Sequence, residues 1–169
     1  MASPIYFNLY MDELYDIIIK SGLGCKIDDY AYSVLGYADD VTLVSPSVDG
    51  LQEMIHIVED FCNNNGLTIS VHTNPEKSKT KCAHFNSKQT PRSMQVYNME
   101  IPWVEEAGHL GHVVNNDESC AQDMRRKRAT YISKVHSLRQ ELGNQDPEVF
   151  NKIIFTYGGA FYGAMLWDI

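Results

Sequence analysis

The stretch Ser33-Val34-Leu35-Gly36-Tyr37-Ala38-Asp39-Asp40-Val41-Thr42-Leu43-Val44 decides the reading of this chain. Both ends are rich in β-branched and aromatic residues, so each half predicts a short strand, with the acidic pair near the turn of a hairpin. Tight hairpins favour Asn-Gly or Asp-Gly because their turns want positive φ, and Asp-Asp is poor turn chemistry. Two adjacent carboxylates beside an apolar sheet repel one another and lose hydration. A divalent cation would relieve both penalties, and Mg2+ or Mn2+ prefers hard oxygen ligands of this kind. The plainer alternative is a solvated acidic turn, a common feature of surfaces.

Composition sets the outer limits. A chain of 169 residues with 44% hydrophobic content can bury a core and is not disordered by composition. It fits one medium domain, or one compact body with a helical appendage. No run of eighteen apolar residues and no signal-peptide pattern is present, so a soluble product of nucleus or cytoplasm is expected, with no membrane partner. Cys25, Cys62, Cys82 and Cys120 are scattered without a CxxC pair and are expected to be reduced thiols. The net charge of −8 opposes tight autonomous binding of phosphates. That charge is unevenly spread: residues 1–60 hold 11 acidic and 2 basic side chains, a balance of −9. Bases gather later, at Lys77, Lys79 and Lys81 and again at Arg125-Arg126-Lys127-Arg128.

Along the chain, Ser3-Pro4 predicts a helix start, and Ile5, Leu9, Leu14, Ile17 and Ile18 a helical stripe ending by Gly22. Ser45-Pro46-Ser47 breaks the second hairpin strand and caps a helix carrying Leu51, Met54, Ile55, Val58 and Cys62, which Asn63-Asn64-Asn65-Gly66 stops. Short strands are expected at 25–27, 30–35, 67–72, 80–86, 93–97 and 107–114. A long helix starts at Asp117 or Ser119, and another at Asp146-Pro147-Glu148. The aromatic end, from Phe155 to Trp167, is core by default, with part of it exposed if a partner is missing. The pattern is α+β: an antiparallel sheet with helices on one face over residues 1–115, then a helical segment over 116–169.

Four further segments join the acidic hairpin in a fixed order: Ser3-Pro4-Ile5-Tyr6-Phe7-Asn8, Asn74-Pro75-Glu76-Lys77-Ser78-Lys79, His109-Leu110-Gly111-His112 and Phe161-Tyr162-Gly163. As a set they resemble the reverse transcriptase (RNA-directed DNA polymerase) of non-LTR, LINE-type retrotransposons, from the end of its B motif into its thumb. The resemblance covers nearly the whole chain. It implies a palm-type sheet followed by a thumb-like helical segment, a two-metal nucleotidyl transfer with Mg2+ or Mn2+, and an RNA template, a DNA primer and dNTP as partners.

The resemblance also implies roles. Asp39 would ligate the metal with Asp40 as its neighbour, and Tyr37 and Ala38 would shape the surface under the primer end. Asn8 falls in the B-motif tail near template and nucleotide, although Ser3 and Pro4 are explained by helix capping alone. Lys77 matches the lysine region that protonates or pairs with departing pyrophosphate, with Lys79 and Lys81 as close rivals and a solvated lysine run as the plainer alternative. Gly111 and His112 fall in the primer-gripping motif, where glycine permits close backbone approach. Arg125, Arg126 and Arg128 would lie against a phosphate backbone, or simply form a solvated face.

Two expectations qualify this. The family's pattern also needs an aspartate from an earlier strand and the fingers, which the sequence in hand does not match. The isolated chain is therefore expected to be inactive alone, its partner being a missing N-terminal palm and fingers half. A non-enzymatic relic that binds nucleic acid or protein is the alternative. Zinc at His109-x-x-His112 with Cys120 is not expected, because residues three apart on one strand face opposite sides and no Cys pair completes a tetrahedral set.

Overall fold

The computed structural model describes residues 3–72, 74, 77–85, 91–116, 119–143 and 146–157. In chain order the elements are α1 (Ser3–Ser21), β1 (Cys25–Ile27), β2 (Tyr30–Tyr32), β3 (Val34–Tyr37), β4 (Asp40–Leu43), α2 (Val48–Asn64), β5 (Cys82–Ala83), β6 (Met94–Val96), β7 (Met99–Ile101), β8 (Trp103–Val104), β9 (Glu106–His109), β10 (His112–Asn115), α3 (Ala121–Leu142) and α4 (Pro147–Tyr157). The class is α+β. The sheet, however, is divided: strands pair two by two as β1–β2, β3–β4, β5–β8, β6–β7 and β9–β10. The strands are only two to four residues long and most are joined by tight turns, so each finds its partner in the nearest segment.

Three expected strands read differently. Residues 30–35 divide at Ser33 between β2 and β3, which belong to separate ladders. Residues 107–114 are a hairpin, because Leu110 and Gly111 both adopt positive φ (47° and 83°) and reverse the chain. Residues 67–72 form no ladder; Leu67, Ile69 and Val71 pack by their side chains instead. The Ser70 carbonyl accepts from the Thr80 amide at 3.1 Å and the Thr80 hydroxyl at 2.9 Å.

The chain divides into two compact units, one over 1–82 and 88–103 and the other over 83–87 and 104–169. In the first, α2 is buried on two sides. Met54 and Phe61 meet Met11, Leu14 and Ile18 of α1 together with Val34, Val41 and Leu43 of the acidic hairpin. Ile55 turns to a second cluster with Cys82, Met94, Val96 and Ile101. Each such burial is worth roughly 1.5–3 kcal/mol, so α2 holds both flanks of the unit together.

The apolar stripe of α1 is displaced from its expected line. Phe7, Met11, Leu14 and Ile18 follow i, i+4, i+7, i+11 spacing and face the core, whereas Leu9 is 72% and Ile17 41% exposed. The expected set mixed two neighbouring faces of one helix. Ser47 caps α2 through Gly50 N–H at 3.0 Å, and Asn65 closes it by donating to Phe61 O at 2.9 Å. Gln52 of α2 grips strand β6: its Oε1 accepts from Gln95 N at 3.0 Å while its Nε2 donates to Gln95 O at 2.8 Å.

In the second unit, the β9–β10 hairpin packs on α3, and α4 follows. Phe155 of α4 is 89% exposed. The aromatic residues from Phe161 to Trp167 lie outside the described residues. No described helix is long and apolar enough to cross a membrane.

Candidate active site

The acidic hairpin is built in register Val34↔Leu43, Leu35↔Thr42, Gly36↔Val41 and Tyr37↔Asp40. Its turn is therefore Ala38-Asp39, with Asp40 opening β4. Ala38 has φ of 52° and Asp39 does not share the positive sign, the II′ pattern in which glycine is the usual first residue. A Cβ at that φ costs on the order of 1–2 kcal/mol, so the tip of the hairpin carries strain.

Directly paired residues share a face. Val34, Val41 and Leu43 point into the core against α1 and α2. Gly36 lies on this inner face for a steric reason: a Cβ there would run into the hydroxyl and ring of Tyr15. The Tyr15 ring thus rests on the hairpin backbone. Its hydroxyl is buried with no hydrogen-bond partner among the described residues, and burial pushes its pKa up. On the outer face stand Leu35, Tyr37, Asp40 and Thr42, with Leu35 and Tyr37 half exposed or more.

Asp39 and Asp40 are both exposed, and among the described residues neither is in an ion pair. Their donors are of the kind Mg2+ takes, and that ion is commonly held by one or two carboxylates with waters and substrate phosphates completing its shell. Among the described residues no group of three or more His, Cys, Asp or Glu side chains converges to hold a metal. The hairpin presents two exposed carboxylates and, among the described residues, does not enclose a metal site.

The remaining expected residues are placed as follows. Asn8 is exposed on α1, and Lys77 is exposed in a turn whose amide donates to Asn74 O at 3.0 Å. No hydrogen bond or ion pair among the described residues links either to Tyr37, Ala38, Asp39 or Asp40. Gly111, His112, Arg125, Arg126 and Arg128 belong to the second unit. The three arginines are exposed on α3. Gly111 takes a φ of 83°, and within the chain nothing lies within 4 Å of a Cβ built there.

The histidines require a correction. His109 and His112 are not on one strand; they face each other across the β9–β10 turn as direct register partners, and so share a face. His112 also belongs to a buried polar cluster that sequence reasoning missed. Asp123 Oδ1 accepts from Val113 N at 3.0 Å. Its Oδ2 lies 3.2 Å from His112 Nδ1 and 3.3 Å from Lys127 Nζ. Asp123 is 3% and Lys127 7% exposed, unlike their arginine neighbours. The i, i+4 spacing of Asp123 and Lys127 was visible in the sequence; the histidine edge covering them was not.

Residues 1–114 match the family model described as reverse transcriptase (RNA-dependent DNA polymerase). Neither the curated proteins nor the solved structures gave a match.

Proposed function

The chain belongs to the reverse transcriptase (RNA-dependent DNA polymerase) family, and from that premise we propose that residues 37–40 are the carboxylate end of a two-metal nucleotidyl-transfer site. The lineage is that of non-LTR, LINE-type retrotransposons, with residues 1–115 as palm and 116–169 as a thumb-like segment. The observation that carries the reading is the hairpin itself, which presents Asp39 and Asp40 unpaired at the rim of a face left open by α1.

In this reading Asp39 and Asp40 hold Mg2+ or Mn2+, which would activate the primer 3′-hydroxyl and stabilise the pyrophosphate leaving group. Tyr37, on the same outer face as Asp40, supports the primer end, and Ala38 keeps the turn narrow beneath it. Asn8 approaches template and nucleotide. Lys77 supplies a proton or a charge to the departing pyrophosphate. Gly111 and His112 position the primer strand, and Arg125, Arg126 and Arg128 neutralise backbone phosphates. A further carboxylate comes from a strand laid alongside the hairpin by a palm and fingers segment.

Metal-induced broadening of backbone resonances tests the site. Mn2+ is expected to broaden residues 37–42 first, and Asp39→Asn to abolish this while the fold is kept. Broadening centred on another acidic turn, such as Asp28-Asp29, would remove the basis for the assignment.

One observation favours a second, non-enzymatic reading. Residues 1–60 carry a balance of −9 while Tyr6, Leu9, Tyr30 and Tyr37 are exposed, a surface suited to a basic protein partner. Under that reading binding persists in Asp39→Ala; under the first, complemented synthesis is lost.

A further inference from the structure

The ribbon of β1 and β2 has an apolar side that nothing in its unit covers. Its register is Cys25↔Tyr32, Lys26↔Ala31 and Ile27↔Tyr30. Paired residues share a face and faces alternate along each strand. Cys25, Ile27, Tyr30 and Tyr32 therefore stand on one side, and Lys26 and Ala31 on the other. A ribbon resting on a core would hide its apolar side. Here Ile27 is 61% and Tyr30 71% exposed, and every residue of the two strands except Cys25 is exposed. Among the described residues neither strand has a ladder partner but the other. A two-stranded ribbon of this kind is marginal in water, and a bare apolar side marks a contact surface.

Charge decides what that contact takes. Residues 1–60 hold two bases, Lys20 and Lys26. Lys20 is paired with Asp16 at 3.0 Å, and Lys26 is on the far side of the ribbon. The tip, Asp28-Asp29, is exposed, and among the described residues neither acid is in an ion pair. The aromatic side thus meets a partner with two carboxylates, within a stretch whose balance is −9. Phosphates of a nucleic acid or of an anionic lipid surface are repelled there. A guanidinium is favoured twice, because its plane stacks on tyrosine and its fork matches a carboxylate.

We propose that β1 and β2 form an arm that docks an extended, arginine-bearing segment of a protein partner, its arginines lying over Tyr30 and Tyr32 and reaching Asp28 and Asp29. The outer edges of the arm let such a segment add as a further strand, which brings arginines two apart onto one side. The arm gives the basic partner of the second reading above its place and its chemistry, and it depends on that reading. It does not depend on what Asp39 and Asp40 do.

Fluorescence anisotropy of the full chain with a labelled peptide alternating arginine and threonine tests the arm. The peptide is expected to bind saturably, and citrulline in place of arginine, which keeps the shape without the charge, to abolish binding. Lysine keeps the charge without the flat cation and should weaken binding roughly two- to fivefold for each arginine lost from a tyrosine face. Tyr30→Ser should weaken the arginine peptide by a similar factor, and Tyr30→Phe should restore most of it. Asp28→Asn with Asp29→Asn should flatten the salt dependence; asparagine accepts the φ of 54° at Asp28, so the turn is kept. Arginine and lysine peptides that bind alike, or binding unaltered in Tyr30→Ser, overturn the arm and leave the basic-partner reading standing. No binding of either peptide overturns both. Tighter binding of single-stranded RNA than of peptide, or a dimer in sedimentation that Tyr30→Ser dissolves, gives the face another occupant and overturns the arm as well.

Discussion

Three side chains carry most of what can be tested one residue at a time. Ala38 sits at positive φ in a turn where glycine is at ease. Ala38→Gly relieves that conformation but gives the unfolded chain more freedom, and the two effects together predict a stabilisation of roughly 0.5–1 kcal/mol, read by urea unfolding. Tyr15 buries a hydroxyl without a partner, so Tyr15→Phe is expected to be neutral or stabilising by the same assay. Cys82 is buried against Met94, Val96 and Ile101, and burial pushes its thiol up to about 11. The folded state thus holds this proton longer than the unfolded state does. Its contribution is complete below the free thiol's range and fades as pH rises from about 9 through 11, by up to roughly 2–3 kcal/mol. Unfolding curves across that range should show the decline, and Cys82→Ala should flatten it.

At the scale of elements, the hairpin and the helix beneath it are fitted to each other through Gly36 and Tyr15. Gly36→Ala drives a methyl into the tyrosine ring, and an overpacking cost of roughly 1–3 kcal/mol follows. Tyr15→Phe does not rescue it, because the ring carbon is nearly as close as the oxygen; Tyr15→Leu should restore part of the loss. Much at this scale was legible beforehand. The two strands around Asp39-Asp40, the Ser47 cap and the Asn65-Gly66 stop all depend on neighbours in sequence, which local pattern reports well. What escaped depended on neighbours in space. The core line of α1 was misread because Leu9 and Phe7 are equally apolar and only the position of α2 decides which is covered. Residues 107–114 passed for one strand because Leu110 does not announce a positive φ. Lys127 stood out only as one of the basic run 125–128, and nothing singled out Asp123, because the β9–β10 hairpin that covers both is not a neighbour in sequence.

For the molecule as a whole, the question is how much of the chemistry these residues can complete. In the function proposed, the two carboxylates of the exposed turn act together with a further acid supplied by another segment. The polypeptide of 169 residues, assayed alone with Mg2+ or Mn2+ on a primed RNA template, is therefore expected to show no template-dependent incorporation. Robust extension by this polypeptide would contradict the division of labour proposed for it. The separate placement of acidic and basic surface also bears on how the polypeptide behaves in solution, and one side chain adds to that. By filling both main-chain bonding positions of Gln95, the amide of Gln52 imitates an adjoining strand on a border where Glu59 of the same helix also takes the Tyr97 amide at 3.1 Å. A stray chain that would extend the small ladder there finds its place taken, so Gln52→Ala should make the protein more prone to assemble into insoluble cross-chain sheets.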